Sequence, residues 1–100
     1  MSAFFIISVK IGNSADRSRY DDYIQRVKPI VEKFGGAYLV RSEKISALSA
    51  AWRPDRVIII EFASKQRIED WLSSEEYRAI EGLRLSSVQA EAVIVESDPA

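Results

Sequence analysis

The side chain with the clearest capacity for chemistry is a carboxylate near the end of an apolar segment. Glu61 follows residues 57–60, an uncharged run of β-branched side chains that is typical of a strand buried on both faces. Because burying an unpaired carboxylate is costly, Glu61 must reach water, a cation or a ligand. Glu61 is therefore a candidate catalytic acid or base, or alternatively the anion of a structural ion pair. The expected partners in such a pair are Arg41, Arg56 and Arg84.

Two residues of the preceding strand are candidates to act with this carboxylate. A guanidinium can bind a carboxylate through two hydrogen bonds, so Arg41 can clamp an anionic substrate; a salt bridge to Glu43 or Glu61 is the alternative. Tyr38 lies near the start of the strand and is a candidate for a polar hydroxyl in an apolar cavity. In this hypothesis Glu61 or Tyr38 transfers a proton, and Arg41 orients or neutralises the anion.

The connection between these two strands adds further candidates. Tryptophan is enriched in interfaces, so we expect Trp52 to pack or to contact a partner, with stacking on a ligand as the alternative. Arg53 and Arg56 flank Pro54 and are expected to be solvated, although functional residues favour loops and an anion site is the alternative. For Arg84 we expect capping or ion pairing. The predicted ligand-binding residues are Tyr38, Arg41, Trp52, Arg56 and Glu61.

Composition excludes several kinds of chemistry. The 100 residues include no cysteine and no histidine, which excludes disulfides, thiolate nucleophiles, histidine bases and histidine-ligated haem. Asp and Glu show no clustered spacing that would suggest a metal site. We therefore predict no cofactor and no metal, and any acid–base chemistry falls to Glu, Asp, Lys or Tyr.

Charge and hydropathy limit the classes of partner and the cellular location that we expect. With 14 basic and 15 acidic residues the net charge is −1, which argues against binding to nucleic acid or to an anionic membrane. No segment approaches the length of a membrane span, and residues 1–7 are typical of a first strand and not of a signal peptide. We expect a cytoplasmic protein with a single domain over residues 1–97 and a tail at 98–100.

Apolar alternation predicts four strands, with expected bounds of 3–11, 37–45, 56–62 and 91–96. In the second strand, alternation places Tyr38 and Val40 on one face, opposite Leu39 and Arg41.

Helical spacing predicts a long first helix from about residue 17 to 34. Asp16 is the expected N-cap, with Asn13 or Ser14 as alternatives, and Gly35–Gly36 supplies the left-handed C-cap. Pro29 within the helix predicts a kink, or a helix in two pieces.

Two shorter helices are expected in the second half. Ser64 is the expected N-cap of the first, and Ser73 with Glu76 is expected to form a capping box that opens the next, at 75–87. The order of elements is then β-α-β-β-α-β, the ferredoxin-like α+β sandwich with a four-stranded antiparallel sheet.

Both faces of this sheet are expected to be apolar, although the helices cover only one of them. The expected covered face comprises Phe5, Ile7, Val9, Ile58, Ile60, Phe62, Val93 and Val95. The expected open face comprises Phe4, Ile6, Val57, Ile59 and Ile94, together with the polar Ser8, Lys10, Arg41 and Glu61. Since such a face is not a stable monomer surface, we expect a homodimer that packs face to face as an α/β barrel with a polar-lined pocket.

Several motifs resemble those of the small bacterial family DUF1330, in the dimeric α/β-barrel superfamily. The segments Gly35–Arg41 and Trp52–Arg56 are similar to that family's Gly-Gly-x-Tyr-Leu-Val-Arg and Trp-x-Pro-x-Arg blocks, and Glu61-Phe62 matches its Glu-Phe pair. The usual Gly-Asp before the tryptophan is absent, since residues 49–51 are Ser-Ala-Ala, and Glu75 stands where proline is common. The resemblance implies the fold and a dimer but no reaction.

Two functional hypotheses follow. The first is a small-molecule-binding dimer, in its specific form a cofactor-independent enzyme acting on a carbonyl, phenolic or lactone-like metabolite. The alternative is a non-catalytic module that associates with itself or another protein and has no ligand site. A ligand-sized cavity favours the first, and a fully packed core favours the second.

Overall fold

Seven elements make up the fold in the computed structural model, which describes residues 2–12 and 16–97. The strands are β1 (Ala3–Lys10), β2 (Ala37–Ser42), β3 (Arg56–Phe62) and β4 (Gln89–Glu96). The helices are α1 (Arg17–Lys33), α2 (Lys65–Ser73) and α3 (Glu75–Leu85). The predicted tail at 98–100 and the alternative N-caps Asn13 and Ser14 lie outside the described residues.

The four strands form one antiparallel sheet in the order β2-β3-β1-β4. The two central strands are β1 and β3, and each alternates buried and partly exposed residues along its length. This period of two indicates that one face of the sheet is covered and the other is not. The predicted ferredoxin-like α+β fold is confirmed.

The core lies between the covered face of the sheet and the three helices. The sheet contributes Ala3, Phe5, Ile7, Val9, Ile58, Ile60 and Phe62, and the helices contribute Tyr20, Tyr23, Val27, Val31, Ile68, Trp71, Tyr77 and Ile80. Trp71 is the largest of the fully buried side chains and packs edge-on against the Phe5 ring, with 5.0 Å between the ring centroids.

Strand β4 faces the opposite way from the prediction. Its register pairs Val95 with Phe4 and Val93 with Ile6, so both valines lie on the open face, and Ile94 packs against the core. The alternation itself was correct, but Val93 and Val95 were assigned to the wrong side. Only pairing with a neighbouring strand fixes the phase of an alternating strand. Three strand bounds also differ, since β1 ends at Lys10, β2 ends at Ser42 and β4 begins at Gln89.

Helix α1 is a single element despite Pro29 in its last turns, so of the two predicted alternatives the helix in two pieces is wrong, and the kink stays a prediction. Asp16 occupies the N-cap position but makes no side-chain capping hydrogen bond. At the other end, Gly35 has a φ of 83°, and Gly36 donates its N–H to the Val31 carbonyl at 2.9 Å. This Schellman arrangement confirms the predicted glycine C-cap and turns the chain directly into β2.

Helices α2 and α3 both begin with a serine N-cap. The N-cap of α2 is the predicted serine, whereas that of α3 is the residue after the predicted one. The Ser64 Oγ accepts the Arg67 N–H at 3.3 Å. The cap of α3 is Ser74, which accepts the Tyr77 N–H at 3.2 Å, and not the predicted Ser73. Ser73 instead ends α2 and donates its hydroxyl to the Glu69 carbonyl, because the two helices follow one another without a loop.

The described residues form a thin slab of 39 × 35 × 16 Å. That thickness accommodates one helical layer on one sheet and leaves the second sheet face open. This open face carries Phe4, Ile6, Val40, Val57, Ile59, Val93 and Val95. Among the described helices, none is long and apolar enough to cross a membrane.

Candidate functional site

A bulge in β2 decides where two of the candidate residues point. Tyr38 pairs with Ile60, but the next pairing joins Val40 to Ile59 and Arg41 to Ile58, so Leu39 is an extra residue in the strand. An extra residue reverses the alternation beyond it. Tyr38 and Arg41 therefore share the helix-covered face, whereas simple alternation placed them on opposite faces. The prediction that Arg41 lies on the open face with Glu61 is wrong.

Tyr38 and Arg41 line a pocket between the sheet and the helices, which has a volume of about 40 Å³ and is partly open to solvent. Most of its wall is apolar. The aliphatic and phenyl lining comprises Phe5, Ile7, Ile24, Val27, Ile58 and Ile60. The polar aromatic lining comprises Tyr20, Tyr23, Tyr38 and Trp71. The charged lining comprises Arg41, Arg56 and Arg84.

Among the pocket arginines that form an ion pair, Arg56 has the less exposed side chain. It is the first residue of β3, and its side chain is 11% exposed. Its Nη1 lies 3.3 Å from the Glu43 carboxylate, which also accepts two hydrogen bonds of 2.7 Å from Arg17. Hydrogen bonding to Arg17, reinforced by Arg56, holds the pKa of Glu43 below its usual range. The single negative charge of Glu43 is thus shared by two guanidinium groups. The positive charge of Arg56 is therefore only partly neutralised.

Arg84 reaches the pocket from α3, with its side chain 17% exposed. Its Nη2 lies 3.9 Å from the Glu81 carboxylate, a long distance for an ion pair. Burial acts to lower the pKa of Arg84, but the Tyr77 hydroxyl and the Glu81 carboxylate outweigh it, and the net direction is upward. Arg84 is therefore charged within the pocket at neutral pH.

Three buried N–H donors of the pocket lack a partner among the described residues: the Nε of Arg56, the Nε of Arg84 and the indole Nε1 of Trp71. A buried donor without an acceptor costs about 1–3 kcal/mol. Native structures leave few such groups unexplained. Here all three belong to residues that line one pocket.

The pocket tyrosines are protonated at neutral pH. Burial raises the pKa of Tyr38 to about 12, although the Arg41 guanidinium, whose Cζ lies 4.8 Å from the ring centroid, acts in the opposite direction. Burial also raises the pKa of Tyr20 and of Tyr23. Tyr38 can therefore donate a hydrogen bond to a ligand, but it is a poor base near neutral pH.

The structure does not bring Glu61 or Trp52 to this pocket. Glu61 pairs with Phe4 on the open face and has no ion-pair partner in the described part of the chain. Trp52 is 59% exposed and borders a separate, more polar hollow that also includes Ser8 and Lys10 of the open face. Of the five predicted ligand-binding residues, Tyr38, Arg41 and Arg56 meet in one place.

Sequence reasoning missed Arg84 and Trp71 as pocket residues, although Arg84 carried a signal. Arg84 follows Tyr77 and Ile80 by seven and four positions, so it falls on the buried stripe of α3. Arg56 likewise precedes Ile58 and Ile60 by two and four positions on the covered face of β3. An arginine in phase with a buried stripe is the pattern from which this pocket could have been predicted.

The arrangement suits the binding of a small molecule with an apolar body and a polar, anionic edge. Apolar walls with a few convergent polar groups are typical of ligand pockets. Within residues 2–12 and 16–97, no cluster of three or more metal-ligating side chains occurs.

A model of the family described as "Domain of unknown function (DUF1330)" matches residues 2–98. No curated protein sequence matches the chain significantly. Solved structures are similar in fold at low sequence identity. One is a protein of unknown function from Rhodopseudomonas palustris, 16% identical, with a TM-score of 0.80 over 99% of this chain and 84% of that one.

Two other solved structures of similar fold are of proteins with a stated oligomeric state or activity. A dimeric ferredoxin-like protein of unknown function from Jannaschia sp. CCS1 is 9% identical, with a TM-score of 0.80 over 97% of this chain and 100% of that one. SnoaB, a cofactor-independent oxygenase from Streptomyces nogalater, is 7% identical, with a TM-score of 0.71 over 99% of this chain and 95% of that one. At these identities the likeness shows the fold alone.

Proposed function

This chain belongs to the DUF1330 family of domains of unknown function, and we propose that it is a homodimeric protein that binds a small metabolite between its sheet and its helices. The observation that carries this proposal is the lining of the pocket, whose apolar walls are interrupted by Tyr38 and by three arginines. Two of these arginines, Arg56 and Arg84, have side chains only 11% and 17% exposed, and a purely structural helix–sheet interface has no need for such enclosed cations, because desolvating them costs free energy.

The dimer in this proposal forms through the open sheet face. Exposed apolar groups such as Val93, at 56%, and Val95, at 44%, are contiguous with Phe4 and Ile6 on the neighbouring strand. A second copy packed on this face would remove these side chains from water. The dimeric state of the similar ferredoxin-like protein from Jannaschia supports a dimer.

The specific form of the proposal is a cofactor-independent enzyme acting on a carbonyl, phenolic or lactone-like metabolite. The arginines that line the pocket would stabilise an enolate or phenolate, and the protonated Tyr38 would donate to its oxygen. Glu61 has no part in this chemistry, because it lies on the opposite face of the sheet. The activity of SnoaB supports this form only by analogy of fold.

Native mass spectrometry after incubation with a bacterial metabolite extract tests the proposal. We expect a dimer that carries additional mass, and we expect denaturation to release that mass. The variant Ile24→Trp fills the pocket and should abolish the additional mass. Ile30→Trp, on the same helix but outside the lining, is the matched control and should retain it. An apo protein under all conditions would contradict the proposal and favour the non-catalytic association module.

A further inference from the structure

The described lining of the pocket carries three positive charges and no negative one. The nearby carboxylates do not balance them. Glu43 contacts Arg56 from outside the lining and is already held by two hydrogen bonds from Arg17. Arg41 stacks on the Tyr38 ring and has no ion-pair partner in the described part of the chain. The pocket is therefore electropositive while its walls are apolar.

The buried donors without acceptors also indicate a ligand that carries acceptor oxygens. The Nε atoms of Arg56 and Arg84 and the Nε1 of Trp71 are buried and lack acceptors among the described residues. These donors come from β3, α3 and α2, so no local feature of one element accounts for all of them. A ligand oxygen is the group that would satisfy donors placed in this way.

We propose that the ligand of this pocket is a small organic carboxylate with an apolar or aromatic body. Its carboxylate accepts hydrogen bonds from Arg56 and Arg84, and its body packs among the tyrosines and aliphatic side chains of α1 and the sheet. This inference rests on the proposed function, since it assigns the chemical class of the molecule that the pocket binds. Trp71 is the additional donor at the floor of the site.

The composition of the lining favours a carboxylate over a phosphate. The apolar walls leave few additional donors for a dianionic group with three terminal oxygens.

Nuclear magnetic resonance of the two indole N–H groups tests this assignment directly. Trp71 lines the pocket and Trp52 borders the other hollow, so their signals report on separate places; the variant Trp52→Phe assigns them. The probes are matched acids and amides, namely benzoate with benzamide and phenylacetate with phenylacetamide, together with inorganic phosphate. We expect the acids to shift the Trp71 signal in a saturable way and to bind at least about tenfold more tightly than the amides. The Trp52 signal should not move.

Variants identify the residues responsible. Arg84→Gln and Arg56→Gln should each weaken the binding of the acids about tenfold or more while leaving that of the amides unchanged, and Arg84→Lys should restore part of the loss. Arg26→Gln removes an equal charge from the exposed side of α1, where Arg26 pairs with Asp22, and should change nothing. A native pattern of the Trp71 signal shows that each variant is folded.

The possible outcomes separate this inference from the proposed function. Equal binding of acids and amides at Trp71 would overturn the carboxylate assignment and leave the pocket as a binding site for neutral molecules. Phosphate that binds as tightly as benzoate would overturn the choice of a carboxylate. If no probe moves the Trp71 signal, both the inference and the proposed pocket are contradicted.

Discussion

Tyr38 shows how burial limits what a single residue can do. Its ring lines the pocket beneath the Arg41 guanidinium, which favours the ionised form, yet desolvation outweighs that cation and the pKa rises to about 12. The residue is therefore a hydrogen-bond donor over the physiological pH range. A carboxylate or phenolate ligand needs such a donor, whereas a base-catalysed reaction would need a different residue.

The raised pKa predicts how stability depends on pH at the alkaline end. Because the folded protein holds the Tyr38 proton more tightly than the unfolded chain does, this group adds no pH dependence below about pH 10. The free energy of unfolding then falls as the pH rises from the ordinary value of 10.0 towards about 12. Urea unfolding across this range, with ultraviolet titration of tyrosinate, measures both quantities.

Two variants control this measurement. Tyr38→Phe should remove one tyrosine from the high-pH titration and reduce the loss of stability. Arg41→Gln should raise the pKa of Tyr38 further, because it removes the opposing cation. Ionisation of Tyr38 at its ordinary pKa would show that the pocket is more solvated than the structure indicates.

At the scale of elements, the junction between α1 and β2 determines where the pocket wall lies. Gly35 ends the helix with a positive φ, and Gly36 passes close to the core: an added Cβ would lie 2.5 Å from the Val31 Cγ1 and 2.8 Å from the Phe62 Cζ. Both neighbours are fully buried, so neither can move aside freely. The next residues of the chain are the bulged strand that carries Tyr38 and Arg41.

Substituting two glycines by alanine should therefore have opposite effects. Gly36→Ala should destabilise the protein by about 1–3 kcal/mol through overpacking. Gly82→Ala should stabilise it by up to about 1 kcal/mol, because Gly82 lies in α3 with open space around its Cα. Denaturant unfolding measures both changes. A neutral Gly36→Ala would show that Val31 and Phe62 repack without cost.

At the scale of the whole molecule, the open sheet face is an apolar surface that one chain cannot bury alone. The slab is only 16 Å thick and has helices on one side. The opposite side presents contiguous apolar groups on all four strands. Association of two copies through this face would complete the burial of the sheet and would leave each pocket on the far side, between sheet and helices.

A charge at the centre of this face should prevent dimerisation. Ile59→Asp places a carboxylate on β3 that a monomer can hydrate and that a packed interface cannot. Light scattering during gel filtration should give twice 11.3 kDa for the parent protein and 11.3 kDa for the variant. Ala79→Asp, an exposed position of α3, adds the same charge and should remain dimeric. A monomeric parent protein would contradict the proposed dimer.

Much of the fold could be predicted from local sequence patterns. Alternation in β1 and β3, the helical stripe from Tyr20 to Val31 and the glycine C-cap are each encoded by neighbouring residues, and the order of elements then leads to the ferredoxin-like sheet. The same alternation gave the correct faces of β1 and β3, including that of Glu61.

The candidate site depended on information that no local pattern contains. Leu39 fits a regular strand, and only pairing with β3 reveals it as the bulge that moves Arg41 to the covered face. In β4 the alternation was visible but its phase was set by pairing with β1. Arg56 and Arg84 belong to elements far apart in the chain and meet only because both flank the same pocket. Periodicity therefore determined which elements form, whereas strand pairing and packing between elements decided which side chains share a site.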